Sequence, residues 1–349
     1  MKAMLLRELG PLARNPAPLQ FTDVPDPTLV DGEILVRVTA CSVCHTELDE
    51  IEGRTPPPRL PVVLGHQVVG VVEESRGNKR GDSQKDNAIP TGARVGVAWI
   101  YSACGKCRYC LSGNENLCEQ FQATGRDADG GYAQYMKVRA EFAHPIPASL
   151  SDFEAAPLLC AGAVGFRALR LANLKDGGNF GLTGFGGSNH LVLKMVKYKY
   201  PNSKVFVFSR NAEEREFAKS LGAAWTGAIY DDPEASLEAV IDATPVWAPI
   251  LEALKYLSPG GRLVINAIRK EDIDQDALLK LDYPSQLWME KEIKSVANVT
   301  RQDVREFLQL AAEANIKPEV QEYELKDANQ ALVELKQGGI RGSKVLRIA

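Results

Sequence analysis

The sequence predicts an α/β chain in two parts, a mainly β domain followed by a doubly wound parallel sheet. Short β-like runs crowd the first part with few helical periods between them, and from Ser151 onward strands alternate with helices. At 349 residues the chain also exceeds one comfortable core.

In residues 1–150 the runs EILVRVTA, VVGVVEE, ARVGVAWI and AQYMKVRA read as strands. The polar, Gly-rich segment 75–92 reads as a surface loop. Ser151 followed by Glu154 is a capping box, and Pro157 predicts a break before the apolar helix containing GAVGFRALRLANL. Residues 151–300 then alternate strand-like NFGLTGFG, KVFVFSR, AVIDATP, GRLVINAI and IKSVANV with helical SNHLVLKMVKYKY, NAEEREFAKSLG and WAPILEALKYL. That alternation is the pattern of a parallel sheet wound on both faces. Residues 301–349 add helices and short strands expected to return to the first domain.

Hydrophobic residues at 45% and charged residues at 25% describe an ordinary globular protein. A net charge of -4 gives no basic footprint for nucleic acid. The opening MKAMLLRELGPLARNP lacks a secretory apolar core, and no apolar run is long enough to span a bilayer. No membrane partner is therefore expected, and the cytoplasm is the expected compartment. In that reducing setting clustered thiols favour metal over disulfides. This weighs against reading CSVCH, 41–45, as a haem c attachment site, since that haem is normally attached after export.

The densest chemical signal is CGKCRYCLSGNENLC. Cys104, Cys107, Cys110 and Cys118, on a lobe at about 100–120, suit one tetrahedral zinc with bonds of about 2.3 Å. Two disulfides or unrelated buried thiols are the alternatives, but the lobe has little apolar content to fold around. Four thiolates close the coordination sphere, so such a site is structural. A second set is dispersed: Cys44, His66 of Gly65-His66-Gln67, and Cys160 in LLCAG. Two thiolates and an imidazole leave a fourth zinc position for water or substrate, although such residues also occur singly in cores. The third signal is Gly184, Gly186, Gly187, Ser188 and Asn189, following NFGLT and opening a helix. Glycines there allow a pyrophosphate to approach the positive helix end, as in a Rossmann fold. Asn189 replaces the usual third Gly or Ala, and a plain glycine-rich βα turn is the alternative.

These pieces occur in one order over nearly the whole chain: CHT, GH followed by an amide, the four-cysteine lobe, LLCAG, and the glycine turn. In that order they resemble the zinc-containing medium-chain alcohol dehydrogenase (MDR) family. The resemblance implies a GroES-like catalytic domain, a Rossmann cofactor domain with a cleft between them, and a homodimer or homotetramer. It implies Cys44, His66 and Cys160 as catalytic-zinc ligands and the four clustered cysteines as the structural site, two zinc ions per chain. Thr46 matches the hydroxyl that hydrogen-bonds the alcohol, and Glu47 the acid that orients the ligand histidine. His45 falls where relatives often have a group near the cofactor pyrophosphate, a solvated side chain being the alternative. Cys41 matches no ligand position and reads as a buried thiol. Trp99 falls where relatives place a substrate-pocket wall, core packing being equally consistent. Asn298 lies in the region that approaches the nicotinamide, and Arg341 resembles the C-terminal arginine that neutralises the pyrophosphate.

Two positions depart from the family. Gln67 stands where a glutamate usually approaches the zinc from behind, so the ligand set carries no extra negative charge and makes a stronger Lewis acid. Asp49 stands where many relatives have a proton-passing histidine; the relay then runs through Asp49, or through Thr46, the cofactor ribose and water. An acid about 20 positions beyond the glycine turn would bind the ribose of NAD. Ser209-Arg210 occupies the strand tip instead, and a hydroxyl with a guanidinium suits a 2′-phosphate, favouring NADP(H) over NAD(H). The expected activity is zinc-assisted hydride transfer between an alcohol and its aldehyde or ketone. Reduction of a conjugated C=C bond and a non-catalytic NADPH-binding protein are the alternatives; retention of Cys44, His66, Cys160 and Thr46 argues against the second.

Overall fold

The protein is described by a computed structural model covering residues 1–77, 89–338 and 342–348. Most of the loop expected at 75–92, and Arg341, lie outside the described residues. The chain divides into two compact units, Met1–Ala163 with Val299–Ala349, and Val164–Asn298.

In chain order the first unit opens with β1 (Lys2–Leu6), β2 (Leu19–Asp23), β3 (Glu33–Val43), α1 (His45–Ile51), β4 (Val62–Val63) and β5 (Val68–Ser75). It continues with β6 (Arg94–Val97), β7 (Ile100–Ser102), α2 (Arg108–Leu111), β8 (Gln122–Ala123), β9 (Tyr135–Arg139), β10 (Ala143–Pro145) and α3 (Asp152–Pro157). After α4 (Ala163–Ala172) the second unit runs β11 (Asn179–Thr183), α5 (Asn189–Lys199), β12 (Lys204–Phe208), α6 (Ala212–Ser220) and β13 (Trp225–Gly227). Then come β14 (Leu237–Asp242), α7 (Ala248–Tyr256), β15 (Leu257–Ile265), α8 (Tyr283–Gln286) and β16 (Glu292–Ser295). The chain returns to the first unit with α9 (Arg301–Glu313), β17 (Val320–Glu324), α10 (Ala328–Gln337) and β18 (Ser343–Arg347).

The first unit's main sheet has the order β10-β6-β5-β3-β18-β17, with β9 also pairing β3. Its pairs are antiparallel except β17 with β18. Ile34, Val36, Val38 and Ala40 alternate along β3 and are fully buried, the period of a strand with one core face. β3 therefore delivers Cys44 at a fixed place, where the chain turns from extended backbone into α1.

The second unit is a six-stranded parallel sheet in the order β13-β12-β11-β14-β15-β16. Buried Phe180 and Leu182, Val205 and Val207, Ala239 to Ile241, and Leu263 and Val264 give the near-continuous apolar runs of strands covered on both faces. The winding direction reverses between β11 and β14, the point at which such sheets open a crevice at their carboxyl ends.

Two expectations are corrected. Residues 151–163 belong to the first unit, because Asp152 accepts hydrogen bonds from Thr39 Oγ1 of β3 and Arg94 Nε of β6, both at 2.5 Å. Pro157 does not break the helix either. The Ser151–Glu154 capping box starts it, and beyond Pro157 it widens into a π turn, Leu158–Gly162, before α4. The stretch Asp152–Ala172 is, by length and composition, apolar enough to cross a membrane, yet 67% of its apolar window is buried inside the protein. It is read as a core helix.

The GHQ segment is held by a second close approach. Gly130 N–H donates to Val63 O at 2.7 Å, and Gly131 and Tyr132 N–H to Gly65 O and Leu64 O, each at 2.9 Å. Gly65 has φ +98°, and any Cβ on Gly130 would lie 2.1 Å from Gly65 O. Gly130→Ala is therefore expected to destabilise the protein by about 2 kcal/mol or more, read as a lower urea midpoint. An unchanged midpoint would show that this loop yields without cost.

Candidate active site and metal centres

Ligand atoms of Cys44, His66 and Cys160 lie within 4.8 Å of one another. Cys44 comes from the β3–α1 junction, His66 from the segment before β5, and Cys160 from the π turn. Glu47 ties the first two together. One carboxylate oxygen accepts the Cys44 N–H at 2.8 Å, and the other lies 2.6 Å from His66 Nδ1. That contact fixes the ring, and Nε2 is buried without a hydrogen-bond partner. Two thiols and an orphaned imidazole nitrogen fit a zinc ion. Cys44 and Cys160 are half-buried residues, whereas His66 is fully buried.

The charges are coupled. The hydrogen bond with Cys160 holds the Cys44 thiol well below its usual value, against burial and with help from His66. The same bond, with burial, pushes Cys160 well above. Burial opposes a charge on His66, but the Glu47 carboxylate and Cys44 together hold its pKa well above the ordinary imidazole value. Burial pushes Glu47 itself upward despite the imidazole.

Thr46 Oγ1 lies 3.6 Å from Cys44 Sγ. Asp49 is buried, and its Oδ1 accepts from Arg54 Nε at 2.5 Å, a partner the sequence reading missed. Arg54 also bonds Glu52, which is paired to Lys336. Gln67 is buried next to His66, with its carbonyl accepting from Ser42 N–H at 3.0 Å. His45 is exposed. Cys41 is fully buried, as expected of a packing thiol. Trp99 packs on Phe121, ring centroids 4.9 Å apart, under the Arg126 guanidinium.

Cys104, Cys107, Cys110 and Cys118 form a second cluster of ligand atoms within 4.8 Å, and all seven cysteines are free of disulfides. Between residues 104 and 118 only Glu115 and Cys118 are buried, while Leu111 and Leu117 are exposed. Four convergent sulfurs with almost no apolar core beside them fit a structural zinc.

In the second unit Gly184, with φ +74°, follows β11, and its N–H donates to Phe208 O at 2.8 Å. Beside Gly186 and Gly187 the space is open within 4 Å of where a Cβ would stand, a cradle that suits a pyrophosphate at the start of α5. Asn189 is buried and its Nδ2 donates to Thr183 O and Gly184 O at 3.1 and 2.8 Å, which accounts for an amide where glycine is usual. Ser188 Oγ accepts from Asn266 Nδ2 at 3.1 Å. Asn298 is half-buried with φ +56°.

At the tip of β12 the expectation is corrected in part. Arg210 is exposed, but the Ser209 hydroxyl donates to Glu214 Oε2 at 2.5 Å and accepts from Asn211 N–H at 3.1 Å. Its single hydroxyl proton is already used. Glu214 comes from the first turn of α6; the signal was Asn211, whose side chain caps that helix and folds it back over the strand tip.

Comparison with known proteins bears on the family of the chain. Residues 30–148 match the alcohol dehydrogenase GroES-like domain family. A probable alcohol dehydrogenase AdhA of Mycobacterium tuberculosis (strain CDC 1551 / Oshkosh) is 42% identical over 348 residues, 100% of this chain and 97% of the relative. An alcohol dehydrogenase of Geobacillus stearothermophilus is 35% identical over 95% of this chain and 96% of its own. The crystal structure of the alcohol dehydrogenase from the archaeon Aeropyrum pernix superposes with a TM-score of 0.84 at 25% identity, covering 99% of this chain and 100% of that one. A GroES-like unit, a doubly wound parallel unit and identity sustained over the full length lead to one conclusion: the chain belongs to the medium-chain alcohol dehydrogenase family.

Proposed function

We propose that the protein is a zinc-dependent alcohol dehydrogenase or carbonyl reductase, interconverting a small alcohol and its aldehyde or ketone with a nicotinamide cofactor. The observation that carries this is the meeting of Cys44, His66 and Cys160, with the Thr46 hydroxyl beside it. A zinc ion held there supplies a Lewis acid for the substrate oxygen, and a nicotinamide held at the glycine turn supplies or accepts hydride. The chain's own residues do the rest. Glu47 orients His66, Thr46 accepts the alcohol proton, and Gln67 keeps the neighbourhood of His66 free of a further charge. Trp99 and His45 are assigned to the substrate wall and the cofactor pyrophosphate, with Asn298 and Arg341 toward the nicotinamide and pyrophosphate; the family resemblance supports these roles. A reducing compartment, the cytoplasm, keeps the thiols available.

For the cofactor we infer NADP(H), on the strength of exposed Arg210. A second reading, NAD(H), is favoured by the Glu214 carboxylate at the same strand tip, which would repel a 2′-phosphate and accept from ribose hydroxyls. We further infer a homodimer or homotetramer. β16 is one of the two edges of the parallel sheet, and Ile293 within it and Trp288 shortly before it are exposed.

The decisive test is an alcohol and carbonyl panel run with both cofactors on protein whose zinc has been measured. Two zinc ions per chain, carbonyl reduction, and a higher kcat/KM with NADPH that Arg210→Ala abolishes are expected. Reduction of a cyclic enone without carbonyl reduction defeats the proposal, and a preference for NADH that Glu214→Gln weakens moves the ribose to Glu214. The two proton routes separate by mutation: Thr46→Val is expected to lower kcat at least about a hundredfold, and Asp49→Asn, whose oxygen is already bound to Arg54, far less. A larger loss in Asp49→Asn would make the aspartate the main relay. Ile293→Lys is expected to reduce the sedimenting mass at unchanged circular dichroism; an unaltered oligomer places the interface elsewhere.

A further inference from the structure

The π turn that carries Cys160 has no side-chain cap hydrogen bond, and packing adds to the backbone bonds that hold it. It is gripped from two sides. A Cβ on Gly96 of β6 would lie 2.8 Å from Leu159 Cδ2, and one on Gly162 would lie 2.2 Å from Phe307 Cε1. These two glycines are notches that receive Leu159 and Phe307. Phe307 is fully buried on α9, so the Gly162 flank of the π turn packs directly against that helix.

The start of α9 is held by the four-cysteine lobe. Glu115, three positions before Cys118, is 3% exposed, and its Oε1 accepts from both Arg301 N–H and Arg301 Nε at 2.9 and 3.0 Å. Arg301 Nη1 also donates to Glu141 Oε2 at 3.2 Å, and its guanidinium lies 4.9 Å over the Phe142 ring. The Thr300–Asp303 capping box fixes the same turn. Glu115 is thus a buried acid at the positive end of a helix, charge-paired to that helix's first side chain. Apart from Cys118 it is the only buried residue between 104 and 118.

We infer that the four-cysteine lobe is a positioning device for Cys160. Glu115 fixes Arg301 and the first turn of α9, and α9 through Phe307 presses the Gly162 flank of the π turn, so order in one metal centre is transmitted to the other. Glu115, Arg301 and Phe307 are positioning residues that touch no reacting atom. The inference rests on the proposed zinc at Cys44, His66 and Cys160.

The test is the rate of iodoacetamide labelling of each cysteine in the zinc-loaded full-length protein, mapped by peptide mass spectrometry, beside total zinc content. Glu115→Gln removes the charge but no lobe ligand. It is expected to speed labelling of Cys160 by roughly tenfold or more, with Cys104 to Cys118 unchanged. Arg301→Gln breaks the pair from the other side and is expected to do the same, which keeps the test available should Glu115→Gln fail to fold. Phe307→Leu is expected to act on Cys160 alone. Unchanged Cys160 labelling in the folded variants overturns the link, and so does equal acceleration at both centres, which marks general loosening. Wild-type protein holding one zinc, at the lobe, overturns the underlying zinc reading instead.

Discussion

The first unit is organised around one electrostatic difficulty. Two thiols, an imidazole and a carboxylate must be brought together in a largely buried place, where unpaired charge is heavily penalised. The chain meets this by making each polar atom serve two structural ends. Glu47 uses one oxygen to close the first turn of α1 at Cys44 and the other to fix His66. The hydrogen bond between Cys44 and Cys160 holds one thiol low and, with burial, the other high. The side chains of Cys44, His66 and Cys160 are thereby held close together, their ligand atoms within 4.8 Å of one another.

The second unit solves a milder form of the same problem at the carboxyl ends of its strands. Asp242 is fully buried, and its Oδ1 accepts from Thr183 Oγ1 at 2.5 Å and Thr244 Oγ1 at 2.7 Å. Lys270 pairs with Asp242 and donates to Thr244 O and Val246 O at 2.7 and 3.1 Å. A buried pair of this kind adds little net stability, but removing one partner leaves the other uncompensated. Its effect is to lock the ends of β11 and β14 and the chain beyond β15 around the turn at Gly184. Precision at that crevice, rather than stability, is what the pair supplies.

Much of this was legible in the sequence wherever the chemistry is local. CxxC spacing, the glycine turn after a strand and the β/α alternation are written in consecutive residues, and the two sheets follow them. The dispersed set Cys44, His66 and Cys160 was readable only through its order along the chain, because no short pattern links Cys44 to Cys160. The π turn was missed: Pro157 is a helix breaker by itself, yet packing at Gly96 and Gly162 keeps the helix going in a wider form. Arg54 on Asp49 and Glu214 on Ser209 were missed for another reason. Each lies five residues from its partner, across a turn or a helix start whose geometry the sequence does not fix to an ångström. The site's residue types were visible, and their partners were not.

The amide at position 67 becomes intelligible when the acids of α1 are considered together. Glu47, Asp49 and Glu50 are all buried on a helix of seven residues. Glu47 is matched by His66 and Asp49 by Arg54. Both carboxyl oxygens of Glu50 are buried without a hydrogen-bond partner, and burial first, then the Glu47 charge, pushes its pKa well above the ordinary carboxylate range. Glu50 is therefore the acid of the three whose burial no hydrogen bond offsets, and its proton is held more tightly than that of an ordinary carboxyl. A carboxylate next to His66 would add a further negative charge to a neighbourhood already at that limit. Gln67, buried and next to His66 in the chain, is a neutral amide and adds no charge to that set.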